Sequence, residues 1–299
     1  MSEHPDLVPC SNCGAPVLTN LAECMFCQQK DPGKMGATAI GRSWLQLKFK
    51  LRRQRRQVER TVRGVELPSW AQPLHEAGAV TTRLIIVCVA LYMAALVFDA
   101  LGSTSGSFLS PSSEILIRMG MAGRGAFITG RPWGLITAIY LHGGFLHLLM
   151  NMVVLWRFGH SVEMLFGRNQ YFLIFTLSGL VGTLLTTLLG TPYSVGASGA
   201  IFGLLGALVI YWMQDGSPYA KQMMQQIAIF AIVTFLLGAS TPNTDNYGHL
   251  GGFLGGLGVA YALRLSPLYA GHPFFTRAAQ ACLFLTIAAF TLSIAIPTG

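Results

Sequence analysis

The chain has 299 residues, of which 52% are hydrophobic and only 11% are charged. Soluble domains carry about 25% charged residues, so this composition excludes an ordinary soluble enzyme and indicates a membrane protein. The formal net charge of +8 is spread unevenly along the chain, and its location bears on how the protein is oriented in a membrane.

Residues 1–35 are predicted to form a small zinc-ribbon-like module. It contains two CxxC pairs separated by ten residues, formed by Cys10, Cys13, Cys24 and Cys27. Four thiolates at this spacing suit one tetrahedral Zn²⁺. Paired disulfides are the alternative, but they are rare in the cytoplasm, where the charge pattern places this end. We expect a structural or regulatory zinc, because so short a module has little core and would depend on the metal to fold. The sequence indicates no partner for the module.

Residues 36–80 form a basic linker. Nine Lys or Arg residues lie between Arg42 and Arg63, against one acid, Glu59, and apolar residues are interleaved among them. A ribbon followed by basic residues is also found in nucleic-acid-binding proteins. The favoured interpretation is a juxtamembrane segment that lies on anionic lipid, with nucleic acid disfavoured. Such charge stays on the cytoplasmic side, so the N-terminus is predicted to be cytoplasmic.

Seven apolar stretches follow, and each is predicted to be a membrane helix, since roughly 20 helical residues cross the hydrocarbon core. They lie near 84–101, 137–156, 170–190, 196–213, 223–240, 247–265 and 278–297. No N-terminal signal peptide is predicted, because the first stretch begins only after residue 80. With a cytoplasmic N-terminus, the second, fourth and sixth helices begin at the outer face. The long connection at 102–134 is too apolar for a solvated loop and is expected to lie in the interface and to contain short helices.

The second predicted helix contains polar residues at membrane depth. His147 and Asn151 are four residues apart and share one helix face. Such groups usually have partners inside the bundle, so they either stabilise packing or donate hydrogen bonds to a reacting group. His142 does not share that face and is interpreted as a structural residue at the mouth of a site. Glu163, near the inner end of this helix, is interpreted as a structural anchor.

The fourth stretch begins with Gly196-Ala197-Ser198-Gly199-Ala200-Ile201-Phe202-Gly203. Its glycines recur at helical spacing and form a smooth face against which another backbone can pack closely in lipid. Ser198 is then either a small packing residue or a nucleophile.

The sixth stretch favours the second interpretation. It also has a glycine face, and His249 stands at its head, near the same membrane surface as Ser198. A serine nucleophile needs a base within hydrogen-bond reach, and His249 supplies one. The polar loop 240–246 lies before His249 and is either a cap over the site or a plain connector. Direct orientation of His249 by Asp245 is not the favoured interpretation.

These motifs together resemble the rhomboid intramembrane serine proteases. The resemblance covers about 80–299 and rests on three motifs in order: HGxxxHxxxN at 142–151, GASGAIFG at 196–203 and GHxGGxxGG at 248–256. It implies an all-α polytopic membrane domain over 81–299, with a six-helix bundle and one added C-terminal transmembrane helix. Two departures are Gly134 after Trp133, where the family often has Arg, and Phe202, where some members have Tyr.

The resemblance also implies roles for individual residues. Ser198 is expected to be the nucleophile and His249 the general base and acid. His147, Asn151 and the backbone N–H of Ser198 are expected to form the oxyanion hole. No catalytic cofactor is implied. The expected structural residues near the site are His142, Gly199, Gly252 and Gly256.

The predicted function is an intramembrane serine endopeptidase that cuts single-span membrane proteins in or near their transmembrane segments. The alternative is a non-proteolytic relative that binds or retains membrane proteins, but inactive relatives usually lack the serine or the histidine. A transporter or channel with a zinc sensor would need charged residues along a path through the bundle, and these are scarce. The site is predicted to open to the outer face. A bacterial inner membrane is expected from the compact size and the lack of a targeting peptide, with a eukaryotic secretory membrane as the alternative.

Overall fold

A computed structural model describes residues 7–9, 16–18, 78–102, 106–190, 193–213, 217–240, 244–263 and 272–296. Near the N-terminus, strand β1 (Leu7–Pro9) pairs antiparallel with strand β2 (Pro16–Leu18). These strands flank the first CxxC pair in the sequence. The four predicted zinc cysteines, Cys10, Cys13, Cys24 and Cys27, and the basic run from Arg42 to Arg63 lie outside the described residues.

The described part of the membrane domain is helical apart from isolated bridges. The connection predicted at 102–134 contains short helices, as expected, before a 3₁₀ turn at Ala138–Tyr140. The helices are α1 (Ala79–Gly102), α2 (Ser113–Arg118), α3 (Arg124–Ile128), α4 (Gly134–Thr137), α5 (Phe145–Phe166), α6 (Arg168–Leu189), α7 (Ser198–Met213), α8 (Pro218–Ser240), α9 (Asn246–Ala262) and α10 (Pro273–Ala295).

Among the described helices, four are long and apolar enough to cross a membrane, namely α1, α6, α8 and α10. A fifth span is formed if α4 with its 3₁₀ turn and α5 are counted together. The protein is therefore a polytopic integral membrane protein.

Two of the predicted spans are helices that fall short of the expected length. Helix α7 has 16 residues and α9 has 17, against roughly 20 for a full span. Helix α7 starts only at Ser198, after Gly196 with a φ of 134° that a residue with a side chain rarely adopts. Six of the 17 residues of α9 are glycine, so this helix is built to pack against protein.

The second predicted span, 137–156, is wrong in its bounds. The chain bends by 85° between Gly134–Tyr140 and α5, and α5 then runs on to Phe166. The break falls at residues 141–144, which end in Gly143-Gly144, and glycine is a poor helix former. His142 therefore lies in the bend and outside any helix.

Helices α6 and α7 contribute much of the buried core. Every residue from Ala200 to Leu208 in α7 is buried, which agrees with a helix that is apolar on all sides. In α6 the buried set includes Tyr171, Ile174 and Phe175. The start of α7, and with it Ser198, thus adjoins the buried core.

Glu163 is the structural anchor that the sequence predicts. At the C-terminal end of α5, its carboxylate accepts hydrogen bonds from the backbone N–H groups of Val80 and Thr81 at 3.0 and 2.9 Å. The Thr81 hydroxyl donates a third bond at 2.9 Å. A carboxylate at the first turn of α1 satisfies N–H groups that have no partner within the helix and complements its dipole.

Candidate active site

The glycine faces of α7 and α9 bring these two helices into backbone contact. A Cβ placed on Gly252 would overlap the backbone of Gly199, and one on Gly256 would overlap the backbone of Gly203. From the other side, a Cβ on Gly199 would lie 3.1 Å from the carbonyl oxygen of Gly248. The predicted close approach of another backbone to these glycine faces is confirmed, and the two faces meet each other. Such a contact leaves little freedom for one helix to slide along the other.

This contact sets the distance between the two central side chains. Ser198, the first residue of α7, and His249, in the first turn of α9, are joined by a hydrogen bond of 2.9 Å between Oγ and Nε2. The imidazole is buried, and its Nδ1 has no hydrogen-bond partner among the described residues. A hydroxyl within hydrogen-bond distance of an imidazole nitrogen is the contact that a serine nucleophile and its base would require.

The aromatic ring of Phe202 packs against the imidazole of His249. Its ring stacks on His249 with centroids 4.7 Å apart and planes inclined by 16°. Phe202 lies one turn after Ser198 on α7, so the same helix carries the serine and the ring that stacks on His249. The substitution of Phe for Tyr that the sequence raised therefore keeps the ring in place.

Helix α5 brings His147 next to the segment that precedes Ser198. A Cβ on Gly196 would lie 2.7 Å from Cε1 and 2.8 Å from Nε2 of His147, so only glycine leaves room for this ring. Asn151 is buried one turn along α5, and its Nδ2 donates to the backbone oxygen of His147 at 2.8 Å. The amide retains a second N–H, because Nδ2 carries two protons.

His142 is buried and does not lie at the mouth of the site as predicted. Only 1% of its surface is exposed, and its ring centroid is 5.2 Å from that of His147. Neither ring nitrogen has a hydrogen-bond partner in the described part of the chain. The difference arises from the bend at 141–144, because a residue placed in a turn between two packed segments is enclosed by both.

A polar cluster forms around Asp245, and the sequence did not predict its partners. This residue caps α9, with Oδ1 accepting from the backbone N–H of Gly248 at 2.8 Å. Its Oδ2 accepts from the hydroxyls of Thr186 at 2.5 Å and Ser194 at 2.6 Å. The carboxylate makes no hydrogen bond to the His249 ring. An Asp before a helix signals a cap from sequence alone, whereas the two hydroxyl partners had no local signal.

No group of three or more His, Cys, Asp or Glu residues suited to a metal ion occurs within the residues that the structure covers. The predicted zinc site on Cys10, Cys13, Cys24 and Cys27 falls outside them and stays a prediction.

Known proteins resemble the part of the chain that carries these residues. The Rhomboid domain matches residues 129–266, which contain all of the site residues described above. The chain is 35% identical to RHOMBOID-like protein 5 of Arabidopsis thaliana over 215 residues, covering 67% of this chain and 70% of that protein. It is 34% identical to Rhomboid protease GluP of Bacillus subtilis over 179 residues, or 60% of this chain and 35% of that protein. It is 31% identical to Rhomboid-like protease 3 of Toxoplasma gondii over 155 residues, which are 50% of this chain and 58% of that protein.

The match with the plant protein extends over more than two thirds of that relative, and the Rhomboid domain coincides with the helices that carry Ser198 and His249. The chain therefore belongs to the rhomboid family.

Proposed function

We propose that this protein is an intramembrane serine endopeptidase that hydrolyses peptide bonds in or near transmembrane segments of other membrane proteins. The observation that carries the proposal is the 2.9 Å hydrogen bond between Ser198 Oγ and His249 Nε2 within a domain of membrane-spanning helices. Two of the relatives, from Bacillus subtilis and Toxoplasma gondii, are named as proteases, which supports the same reaction.

The proposed reaction begins with attack by Ser198. Its Oγ adds to the carbonyl carbon of the substrate while its proton passes to Nε2 of His249. His249 then gives that proton to the leaving amine, and an acyl-enzyme remains on Ser198. Water, deprotonated by the same imidazole, hydrolyses the ester and restores the serine. Two residues suffice for these transfers, because the imidazole serves in turn as base and as acid.

Three hydrogen-bond donors are proposed to stabilise the oxyanion of the tetrahedral intermediate. The N–H of Ser198 has no carbonyl partner within α7, because it belongs to the first residue of that helix. His147 lies against Gly196, two residues before the nucleophile. Asn151 supplies the remaining N–H of its amide. Removal of one such donor costs about 2.7–4 kcal/mol of transition-state stabilisation in serine proteases.

The proposed substrates are single-span membrane proteins. A transmembrane helix hides its backbone carbonyls in hydrogen bonds to residue i+4, so the segment must unwind before attack, and small or helix-destabilising residues favour unwinding. The basic linker supports a cytoplasmic N-terminus and a site that opens to the outer face. The bacterial inner membrane stays a prediction, since the relatives include a plant protein as well as a bacterial one.

The alternative function is binding or retention of membrane proteins without cleavage. Both functions need substrate contact, but only proteolysis needs a serine within hydrogen-bond distance of a histidine. The presence of that pair favours the protease.

The test uses the purified full chain in liposomes with a reporter single-span substrate. Wild type is compared with Ser198→Ala and His249→Ala, and each variant is checked for folding by thermal denaturation. Cleavage by wild type alone supports the proposal. Equal cleavage by all three would identify a contaminant as the protease. Co-purification of the substrate with all three, without cleavage of this or a second substrate, would favour the binding function.

A further inference from the structure

We propose that Asp245 is a positioning residue for the reaction, and that its carboxylate holds the segment before Ser198 against the first turn of the helix that carries His249. The inference rests on the proposed function, because it assigns Asp245 a part in the same chemistry. Asp245 is not a catalytic residue, since it forms no hydrogen bond with the side chain of Ser198 or of His249 in the described structure.

On the side of the base, Asp245 fixes the start of α9. Its Oδ1 accepts from the N–H of Gly248 at 2.8 Å, and its backbone oxygen accepts from the N–H of His249 at 3.1 Å. Both contacts lie within the turn that carries the imidazole. A capping side chain satisfies N–H groups that otherwise have no partner, and its loss frays the first turn.

On the side of the nucleophile, Asp245 holds the segment that leads into α7. Ser194 stands four residues before Ser198, and its hydroxyl donates to Oδ2 of Asp245 at 2.6 Å. The backbone of Ser194 pairs with that of Ala122 in both directions, at 2.8 and 3.1 Å. Gly196 donates its N–H to Ala138 at 2.9 Å. The segment is thus attached at several points, and Asp245 supplies the attachment that reaches α9.

Helix α6 provides the third attachment. The hydroxyl of Thr186, which is fully buried, donates to Oδ2 of Asp245 at 2.5 Å. Space for this contact depends on Gly248, because a Cβ there would lie 2.6 Å from Oδ2 and 3.0 Å from Oγ1 of Thr186. One N–H and two hydroxyls from three parts of the chain therefore converge on one carboxylate.

A carboxyl group suits this position because both of its oxygens accept hydrogen bonds, and here three donors reach them. The cluster therefore couples α6, the segment before Ser198 and the first turn of α9. Since a displacement of about 1 Å between reacting groups lowers rates by up to about 100-fold, loosening this cluster is expected to slow the chemical step and not substrate binding.

The test compares two buried threonines that each donate a hydrogen bond to a buried or half-buried carboxylate. Thr186→Val removes the bond to Asp245, and Thr81→Val removes the 2.9 Å bond to Glu163. Valine has the same shape as threonine, so both changes delete a hydroxyl without a cavity. Glu163 lies 16 residues beyond His147 on α5, which is about 24 Å along the helix, so Thr81 is a control remote from the dyad.

Each variant of the full chain is measured for kcat and KM with a reporter substrate, for the rate of Ser198 labelling by a fluorophosphonate, and for its thermal midpoint. For Thr186→Val and Ser194→Ala, kcat and the labelling rate are expected to fall about tenfold with KM unchanged. Thr81→Val should leave kcat and the labelling rate unchanged even where it lowers the midpoint. Asp245→Asn, which keeps a capping oxygen, should retain more activity than Asp245→Ala.

Equal kcat values for Thr186→Val, Ser194→Ala and Thr81→Val would overturn the inference and leave a purely structural role for the cluster. A different failure belongs to the proposed function: wild type would then be no more active than Ser198→Ala. In that case hydrogen exchange of peptides 194–200 and 246–252 decides the inference by itself. Faster exchange of both peptides in Thr186→Val, but not in Thr81→Val, supports the coupling, and unchanged exchange in both overturns it.

Discussion

Helices α7 and α8 differ in the way they meet α9. Between α7 and α9 the contact is made by backbone, with Gly252 pressed against Gly199. Helix α8 instead faces α7 and α9 through side chains that line an open apolar cleft of about 300 Å³, which borders His249 and Phe202. The difference teaches where catalytic geometry is fixed. The serine and the histidine stand on the two helices whose backbones are in contact, whereas α8 faces that pair across side chains.

The largest expected effect comes from adding a side chain to the backbone contact. Gly252→Val places a Cβ into the carbonyl group of Gly199, so the two helices must separate. We expect a loss of at least about 1–3 kcal/mol of stability together with loss of cleavage. Thermal unfolding in detergent and reporter cleavage measure the two effects.

A matched control lies on the same helix. A Cβ on Gly258 would meet no heavy atom within 4 Å, and Ala is a better helix former than Gly. Gly258→Ala should therefore keep full activity and wild-type stability or better. If Gly252→Val behaved like Gly258→Ala, the close backbone contact would not be what positions the dyad.

The next largest effect is expected at Phe202, which lies on α7 and also borders the apolar cleft beside α8. Phe202→Leu keeps an apolar side chain but removes the ring stacked on His249. An aromatic face stabilises a neighbouring cation by about 0.5–2 kcal/mol, so the protonated imidazole formed during the reaction should be less stable and kcat should fall by up to about tenfold. Phe202→Tyr restores the ring and should recover most of the rate. An unchanged kcat in Phe202→Leu would contradict a role for the ring in stabilising the protonated imidazole.

Substitutions of exposed residues on α8 are expected to have small effects on stability and on kcat. Ile229 is 63% exposed and Val233 is 48% exposed, so truncation of either to Ala leaves no cavity in the protein. Each should change stability by no more than about 0.5 kcal/mol and leave kcat unchanged. Reporter kinetics in liposomes check this, and a loss as large as that of Gly252→Val would contradict the contrast between the two helices.

Removal of the predicted zinc should have the smallest effect on Ser198 and His249. Four thiolates fill one tetrahedral site, so metal analysis of the full chain should find about one zinc per chain, and Cys10→Ser with Cys13→Ser should remove it. Chelation should leave fluorophosphonate labelling of Ser198 unchanged, since no metal-binding group occurs among the described residues of the membrane domain. Loss of labelling on chelation would place a metal nearer the site.

Much of the site could be predicted because its signals are local in sequence. The glycines of α7 and α9 recur at helical spacing, and Ser198 and His249 stand at the heads of those two segments. Phe202 was singled out only through the resemblance to the family, where some members have Tyr at this position. The glycine faces needed only helix periodicity, and the roles of individual residues needed the resemblance as well.

The features that escaped prediction depend on long-range contacts or on backbone shape. Asp245 is 51 residues from Ser194 and 59 from Thr186, and no period links such hydroxyls to a carboxylate. The 85° bend before α5 lies within a continuous apolar stretch, so a hydropathy pattern extends the helix through it. The burial of His142 follows from that bend and was missed for the same reason.

The central claim is that Ser198 is a nucleophile activated by His249, and its most direct test is to locate the residue that a fluorophosphonate modifies. The serine oxygen attacks phosphorus, fluoride leaves, and the hydroxyl proton passes to the imidazole. Mass spectrometry of peptides from the labelled full chain should place one phosphonyl group on Ser198 in wild type and none in folded His249→Ala. Labelling of Ser198 at the same rate in His249→Ala, or labelling at another serine in wild type, would contradict the account.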